Sequence, residues 1–546
     1  MKKLLGSLLC LAMVVGLTGC GDGGSEREDK TTLRTAKGGD IEVMDPAIVD
    51  DSVTANVLCQ MYEGLYKLDK NGNAVPNVAV DMPTISEDGL TYTIKLNEGI
   101  KWSDGQPLKA GDFVYAWKRA AAMGTGTAYY SQFINKIKNG GTGKPLKSMD
   151  DLKDFGAVAK DDTTIVITLK QKCAYFTSLL TNTVFYPVRQ DAVEKDGANP
   201  LKSVWSNRTE TPVNGAFYAS KIDSKDEVVL TKNKNYRAAD EVSLETISIK
   251  VMSDSSSQTS AFQSGEIDWA DTINLDTVNA DESLKSSIYA IEPFVCNYYV
   301  LMNAGDENTR KELKDPEIRA AFAMAINREN VLKASGKGDY AYELNNLVPK
   351  GIPDTTGDFT TNNGNKWSGG YNLAEAQKIM KAKGYSESKM LKLSYSYNDV
   401  PMHKDVAQAM QASLKEAYID LELKTAELQT FFSNRDKGDF ETCRHAMTAD
   451  FLDPMAYLSM YYGKDTAGNT VDDKKYEDMI DAAEKLDGAD RFAKLAEAEK
   501  YLVENHYVVP LFGYTDPFLK AADLEGVTSS PEGHFDLTRA DRKSVV

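Results

Sequence analysis

Ser86-Glu87-Asp88-Gly89-Leu90-Thr91-Tyr92-Thr93-Ile94-Lys95-Leu96 runs out of a turn into a strand. Leu90, Tyr92, Ile94 and Leu96 alternate with Thr91, Thr93 and Lys95, the period of a half-buried strand. Lys101-Trp102-Ser103-Asp104-Gly105 is a turn. Asp112-Phe113-Val114-Tyr115-Ala116-Trp117 then opens a helix expected over 112–122, with Phe113, Trp117 and Ala120 on one face. Within about thirty residues the pattern changes from period two to period 3.6, the mark of a mixed fold.

Outward from this stretch the same mixture continues. Towards the N-terminus, 31–43 reads as a strand region and 52–62 as a helix. Further along, 164–169, 227–231 and 246–251 read as strands, and Pro212-Val213-Asn214-Gly215-Ala216-Phe217 as a tight turn. Asp315-Pro316 caps a helix, and further helices are expected over 373–383, 406–418 and 491–504, with Glu499 on the apolar side of the last. Strands are expected over 391–397, 421–425 and 507–512. Helices and strands mixed throughout give an α/β or α+β class.

The first thirty residues are of another kind. Lys2-Lys3 precede an apolar run from Leu4 to Leu17, too short to span a bilayer as a helix, and the run ends Leu17-Thr18-Gly19-Cys20. This is a signal peptide over 1–19. Its end resembles the lipobox of bacterial lipoproteins, which implies a diacylated Cys20 and stable anchoring by two acyl chains. The polar, glycine-rich 20–30 reads as a flexible tether. Expected localisation is therefore the extracytoplasmic face of the cell membrane.

The chain carries a net charge of -18 over 546 residues. That balance argues against nucleic acid and against adsorption to anionic lipid through protein charge. Cys59, Cys173, Cys296 and Cys443 are scattered, with no CxxC pair; they read as small buried hydrophobes, with a disulfide left open in an exported protein. Of His403, His445, His506 and His534, none falls in HExxH. There is no GxSxG and no glycine-rich loop ending in Gly-Lys-Ser/Thr. Cys443-Arg444-His445 is the nearest thing to a metal or nucleophile pair. We read no catalysis, no metal and no cofactor.

Cys443-Arg444-His445-Ala446-Met447-Thr448-Ala449-Asp450-Phe451-Leu452-Asp453-Pro454 holds two acids with different prospects. Asp453 precedes Pro454 and reads as the N-cap of a helix over 455–462. Asp450 has no such local task. It pairs with a lysine of its own chain, faces water, or receives a ligand's positive charge, since a buried lone charge is costly.

Taken in order, several blocks resemble the peptide-binding branch of the family 5 extracellular solute-binding proteins, the receptors of oligopeptide ABC importers. They begin with Met44-Asp45-Pro46-Ala47 and Tyr62-Glu63-Gly64-Leu65-Tyr66, followed by the stretch quoted at the outset. Then come Asn214-Gly215-Ala216-Phe217, Ser264-Gly265-Glu266-Ile267-Asp268, Asp315-Pro316-Glu317-Ile318-Arg319, Asp450-Phe451-Leu452-Asp453-Pro454 and Gly533-His534-Phe535-Asp536-Leu537. The resemblance implies a bilobed, periplasmic-binding-protein-like α/β fold of the class II type, with a ligand cleft between the lobes. It implies domain I over 31–75, 208–297 and 510–546, domain II over 76–207 and domain III over 298–509, with a hinge near 298 and 510.

Asp450 stands where the family's amine-binding carboxylate stands. Met447, Thr448, Ala449 and Phe451 would flank the ligand, though family members often carry a tryptophan where Met447-Thr448-Ala449 stand here. The loop with Trp269 and Asp271 would line the cleft, Tyr129 or Tyr130 would close over it, and Asn214 is a contact or a turn former. Tyr298-Tyr299, at the expected hinge, reads as core packing. The expected partners are an oligopeptide and an ABC permease with its ATPase, the receptor itself being a monomer. Two alternatives remain at this stage. One is a same-fold receptor for a nickel chelate, haem or oligosaccharide. The other is a surface adhesin or signalling lipoprotein no longer coupled to import.

Overall fold

The computed structural model describes residues 29–41, 43–49, 51–124, 133–209, 211–305, 310–463 and 471–543. The leader, Cys20 and most of the tether therefore lie outside the described residues, as do Tyr129 and Tyr130.

The opening stretch folds as its pattern dictates. The strand Thr91–Lys95 buries Tyr92 and Ile94 and leaves the threonines half-buried. It lies between Thr84–Ile85 and Thr164–Thr168 in a four-stranded antiparallel sheet completed by Ala157–Asp161. The helix is Ala110–Met123, two residues longer at its start than expected. Asp112 sits inside the first turn, not at its head, and its Oδ2 accepts the Lys109 N–H at 2.9 Å and the Trp102 Nε1–H at 3.1 Å. Gly124, at φ +68°, ends the helix in the left-handed conformation.

A seven-stranded sheet is assembled from distant pieces of chain. Its order is Ile288–Tyr289, Phe518–Lys520, Trp269–Ala270, Thr32–Lys37, Thr246–Val251, Glu227–Lys232 and Phe217–Asp223. Thr32–Lys37 runs parallel to both its neighbours, and the other pairs are antiparallel. One continuous hydrophobic core lies under this sheet and the four-stranded one. A buried ion pair ties the two regions: Arg119 donates to both oxygens of Asp45 at 2.8 and 2.6 Å, and the Trp205 Nε1–H reaches Asp45 at 3.2 Å. The Met44-Asp45-Pro46-Ala47 block thus serves as a clasp.

The other lobe is a six-stranded sheet in the order Ala341–Glu343, Val508–Tyr514, Cys296–Met302, Thr442–Thr448, Leu391–Asn398 and Ile419–Ala426. Helices Pro316–Ala325, Leu373–Ala382 and Pro401–Glu416 cover it around a second core that includes Tyr298, Phe322, Val406, Met410 and Phe512. The chain passes between the sheets twice. It leaves Ile288–Tyr289 to enter Cys296–Met302, and leaves Val508–Tyr514 to enter Phe518–Lys520. The two strands it uses in this lobe are antiparallel neighbours, with a register shift at Tyr298/Tyr299. Both tyrosines are buried. Tyr298 stacks on Phe512 with ring centres 4.7 Å apart, and Tyr299 stacks on His445 at 5.0 Å. Packing is what they do.

Some elements differ from expectation. The helix expected over 455–462 is Met455–Leu458 followed by a 3-10 turn, Ser459–Tyr461, and its cap is Pro454. Asp453 still accepts the Met455 N–H at 2.9 Å, but it also holds Arg491 with both oxygens at 2.7 and 2.8 Å. Pro401–Glu416 begins five residues before the expected start at Val406, with proline at the first turn. Cys59, Cys173, Cys296 and Cys443 are free thiols, all but Cys59 buried.

Candidate functional site

The strand Thr442–Thr448 positions the site. It pairs along its whole length with Cys296–Met302. The Asn297 side chain braces its end, accepting the Met447 N–H at 3.1 Å while donating to the Leu347 carbonyl at 2.7 Å. Where the strand stops, the Val295 carbonyl accepts the Ala449 N–H at 3.1 Å and the Tyr457 hydroxyl at 2.6 Å. Asp450 is the next residue and lies on the wall of a cavity of about 1170 Å³. That is at or above the upper end for small-ligand pockets. Gly38, Val53, Asn56 and Asp271 face it from one lobe; Phe432, Arg435, Met447 and Thr448 face it from the other.

The charged groups around the cavity are mostly matched. Lys37 pairs with Asp271, Lys337 with Asp516, and Arg435 with Asp436. Asp51 caps the helix Ser52–Met61 by accepting the Thr54 N–H at 2.7 Å. Glu532 is different. Burial, reinforced by the negative charge of Asp450, holds its carboxyl well above the usual range. Burial also pushes the neighbouring His534 down to about 4, so its imidazole is neutral at ordinary pH.

Of the residues singled out from sequence, Met447, Thr448, Ala449, Asp450 and Asp271 all border this cavity. Phe451 points elsewhere, stacked on Tyr175 at 5.0 Å and edge-on to Phe133 at 5.5 Å. Trp269 is 4% exposed and lies among Tyr289, Phe518 and Phe535; its Nε1–H donates to Asp271 at 2.5 Å, so it supports the wall from behind. Asn214 is fully buried, donating to the Glu63 carbonyl at 2.9 Å and accepting the Glu63 N–H at 3.0 Å. It locks a turn against the chain and is not on the cavity wall, which corrects the contact reading. Glu532, Phe294, Phe432 and Arg435 were missed. Glu532 sits directly before the quoted Gly533-His534-Phe535 block, and a charged residue beside glycine reads as solvent-facing turn.

Cys443 and His445 are both buried in the strand Thr442–Thr448. Burial raises the thiol to about 12 and drives the imidazole well below its ordinary value. Among the described residues no cluster of three or more histidine, cysteine or acidic side chains is arranged to hold a metal. No helix among them is long and apolar enough to cross a membrane. A second cavity, of about 420 Å³, lies beside Arg491 and Lys172, but Asp453 and Asp487 already occupy those cations.

Two lobes with separate sheets, joined by adjacent strands around a large cavity with charged walls, define a solute receptor with a bilobed α/β fold. The model for bacterial extracellular solute-binding proteins, family 5 Middle, matches residues 73–469, and the chain belongs to that family. Over 99% of both chains it is 29% identical to the dipeptide-binding protein DppE of Bacillus subtilis strain 168. It is 28% identical to the oligopeptide-binding protein OppA of the same organism, over 98% of this chain and 97% of that one. Among solved structures, Listeria monocytogenes OppA bound to peptide superposes with a TM-score of 0.75 at 25% identity, over 94% of this chain and all of the other.

Proposed function

We propose that the protein is a lipid-anchored receptor on the outer face of the cell membrane, which captures oligopeptides between closing lobes and delivers them to an ABC importer. The observation that carries this is the position of Asp450 on the wall of the large cavity, soon after a strand that pairs along its length with Cys296–Met302. The names of the relatives that match nearly the whole chain support it. The Leu17-Thr18-Gly19-Cys20 sequence supports the anchor.

A receptor for many peptide sequences must read what they share. Asp450 takes the α-ammonium. Main-chain groups around the cavity pair with the ligand's amides in the manner of an added strand, so affinity does not depend on side chains. Side chains occupy the remaining volume, where water adapts the contacts. Domain I (31–75, 208–297 and 510–546) and domain II (76–207) form one jaw, and domain III (298–509) the other.

Isothermal titration of short peptides tests the reading. Free peptides bind and their N-acetylated forms bind poorly. Asp450→Ala loses on the order of 3–5 kcal/mol, as when one partner of a buried charge pair is removed. Unchanged affinity in that variant removes Asp450 as the amine anchor.

A further inference from the structure

Glu532 lies in a turn that is fixed on every side. The Ser530 N–H donates to the His534 carbonyl at 2.9 Å, and the Gly533 N–H to the Ser530 carbonyl at 3.0 Å. The Asn56 side chain donates to the Gly533 carbonyl at 3.1 Å and accepts the Phe535 N–H at 2.9 Å. Gln60 donates to the Phe535 carbonyl at 2.7 Å. Gly533 has φ +89°, and a side chain there would meet the Phe294 ring at 2.9 Å. The turn is therefore rigid.

It is also tied to the Asp450 loop through one residue. The Val295 N–H donates to the Pro531 carbonyl, and the Val295 carbonyl accepts the Ala449 N–H, both at 3.1 Å. Pro531 immediately precedes Glu532, and Ala449 immediately precedes Asp450. The fold thus brings two acids, more than 80 residues apart in the chain, to one cavity.

The Glu532 side chain is only 6% exposed, and its Oε1 is buried with no hydrogen-bond partner. Oε2 stands 3.7 Å from Nδ1 of His534, a ring that burial keeps neutral. The nearby cations Lys37, Lys337 and Arg435 each have an acid of their own. A buried carboxyl oxygen without a donor is costly, and such groups usually find partners. Glu532 borders the cavity.

We propose that Glu532 receives the cationic side chain of a ligand's first residue, while Asp450 takes the α-ammonium of the same residue. Two cationic groups diverging from one Cα match two acids converging about one residue, Val295. A charge-assisted hydrogen bond to Oε1 satisfies the orphaned oxygen. The substrate class is peptides with lysine, arginine or a similar base at the N-terminus. This rests on the peptide-receptor reading.

The test is titration of wild type and Glu532→Gln with Lys-Ala-Ala, norleucine-Ala-Ala and N-acetyl-Lys-Ala-Ala. Wild type prefers the lysine peptide over its apolar analogue by about tenfold or more. In Glu532→Gln that ratio falls to within about threefold, whatever the absolute affinities. A wild-type ratio near one overturns the proposal without recourse to the variant, and so does a ratio that survives in Glu532→Gln. If the first two peptides bind wild type equally and acetylation abolishes binding, only the side-chain proposal falls. If none of the three binds, the peptide reading falls with it.

Discussion

Glu499 lies on the apolar side of the helix Gly488–Glu504, where its charge contradicts the sequence pattern. It is fully buried and accepts the Val348 N–H at 2.7 Å with Oε1, while Oε2 has no partner. Burial pushes its carboxyl up to about 8. The folded state therefore holds a proton that the unfolded chain releases above its ordinary value near 4.5. The resulting stability is fully present below about 4.5 and is lost as pH rises towards 8. Glu499→Gln keeps the acceptor and carries no charge. Its stability relative to wild type should climb by a few kcal/mol between those two pH values and be flat on either side. Urea unfolding across that range measures this; a difference independent of pH contradicts it. Asp453 and Asp45 solve the same problem differently, each with a bidentate arginine. Glu532, like Glu499, has a carboxyl that burial holds above its ordinary range, and on the proposed reading a ligand's cation would offset that cost.

At the scale of elements, Gly215 shows why Asn214-Gly215-Ala216-Phe217 stands where it does. Its N–H donates to the Met61 carbonyl at 2.8 Å, and an added Cβ would lie 2.5 Å from the Met61 carbonyl carbon. Backbone cannot yield as a flexible side chain does. Gly215→Ala should cost about 1–3 kcal/mol, the usual penalty for forcing atoms into a packed interior, measurable as a lowered urea midpoint with unchanged slope. Such glycines are legible in sequence only as turns. Amphipathic elements were legible too: Thr91–Lys95 and Thr246–Val251 alternate, and Leu373–Ala382 shows its apolar face. Thr442–Thr448, the strand that carries the site, was not. Its Arg444 and His445 are both buried, Arg444 donating to Asn398 at 2.6 Å and lying over the Phe431 ring, so polar residues stand where apolar ones were expected. Cys296–Met302 is buried at all seven positions, and a uniformly buried strand has no period to read. Within the site, Asp450 drew notice as an acid with no local task, and the family resemblance singled it out as a candidate; the structure places it on the cavity wall. Glu532 carries no signal, because nothing local tells a turn acid in a cavity from one in water.

Across the whole molecule, a ligand held as proposed, by Asp450 and by main-chain groups of both jaws, would favour a closed arrangement by its difference in affinity for the open and closed forms. At a peptide concentration of about 100 times Kd the folded state gains about 2.7 kcal/mol. Both jaws should share that gain, with a smaller radius of gyration in small-angle X-ray scattering. A stabilised protein of unchanged size would exclude closure. The form of the connection limits what the motion can be. The two crossings, 290–295 and 515–517, are rooted in this lobe on Cys296–Met302 and Val508–Tyr514, whose ladder holds those roots side by side. Two short links rooted side by side bend together readily and resist torsion. On the proposed reading, the jaws would be confined to roughly one path, and the Asp450 wall would return to the same place at every closure. Loosening the ladder that holds those roots together would cost the proposed receptor discrimination between guests before it cost the capacity to grip one.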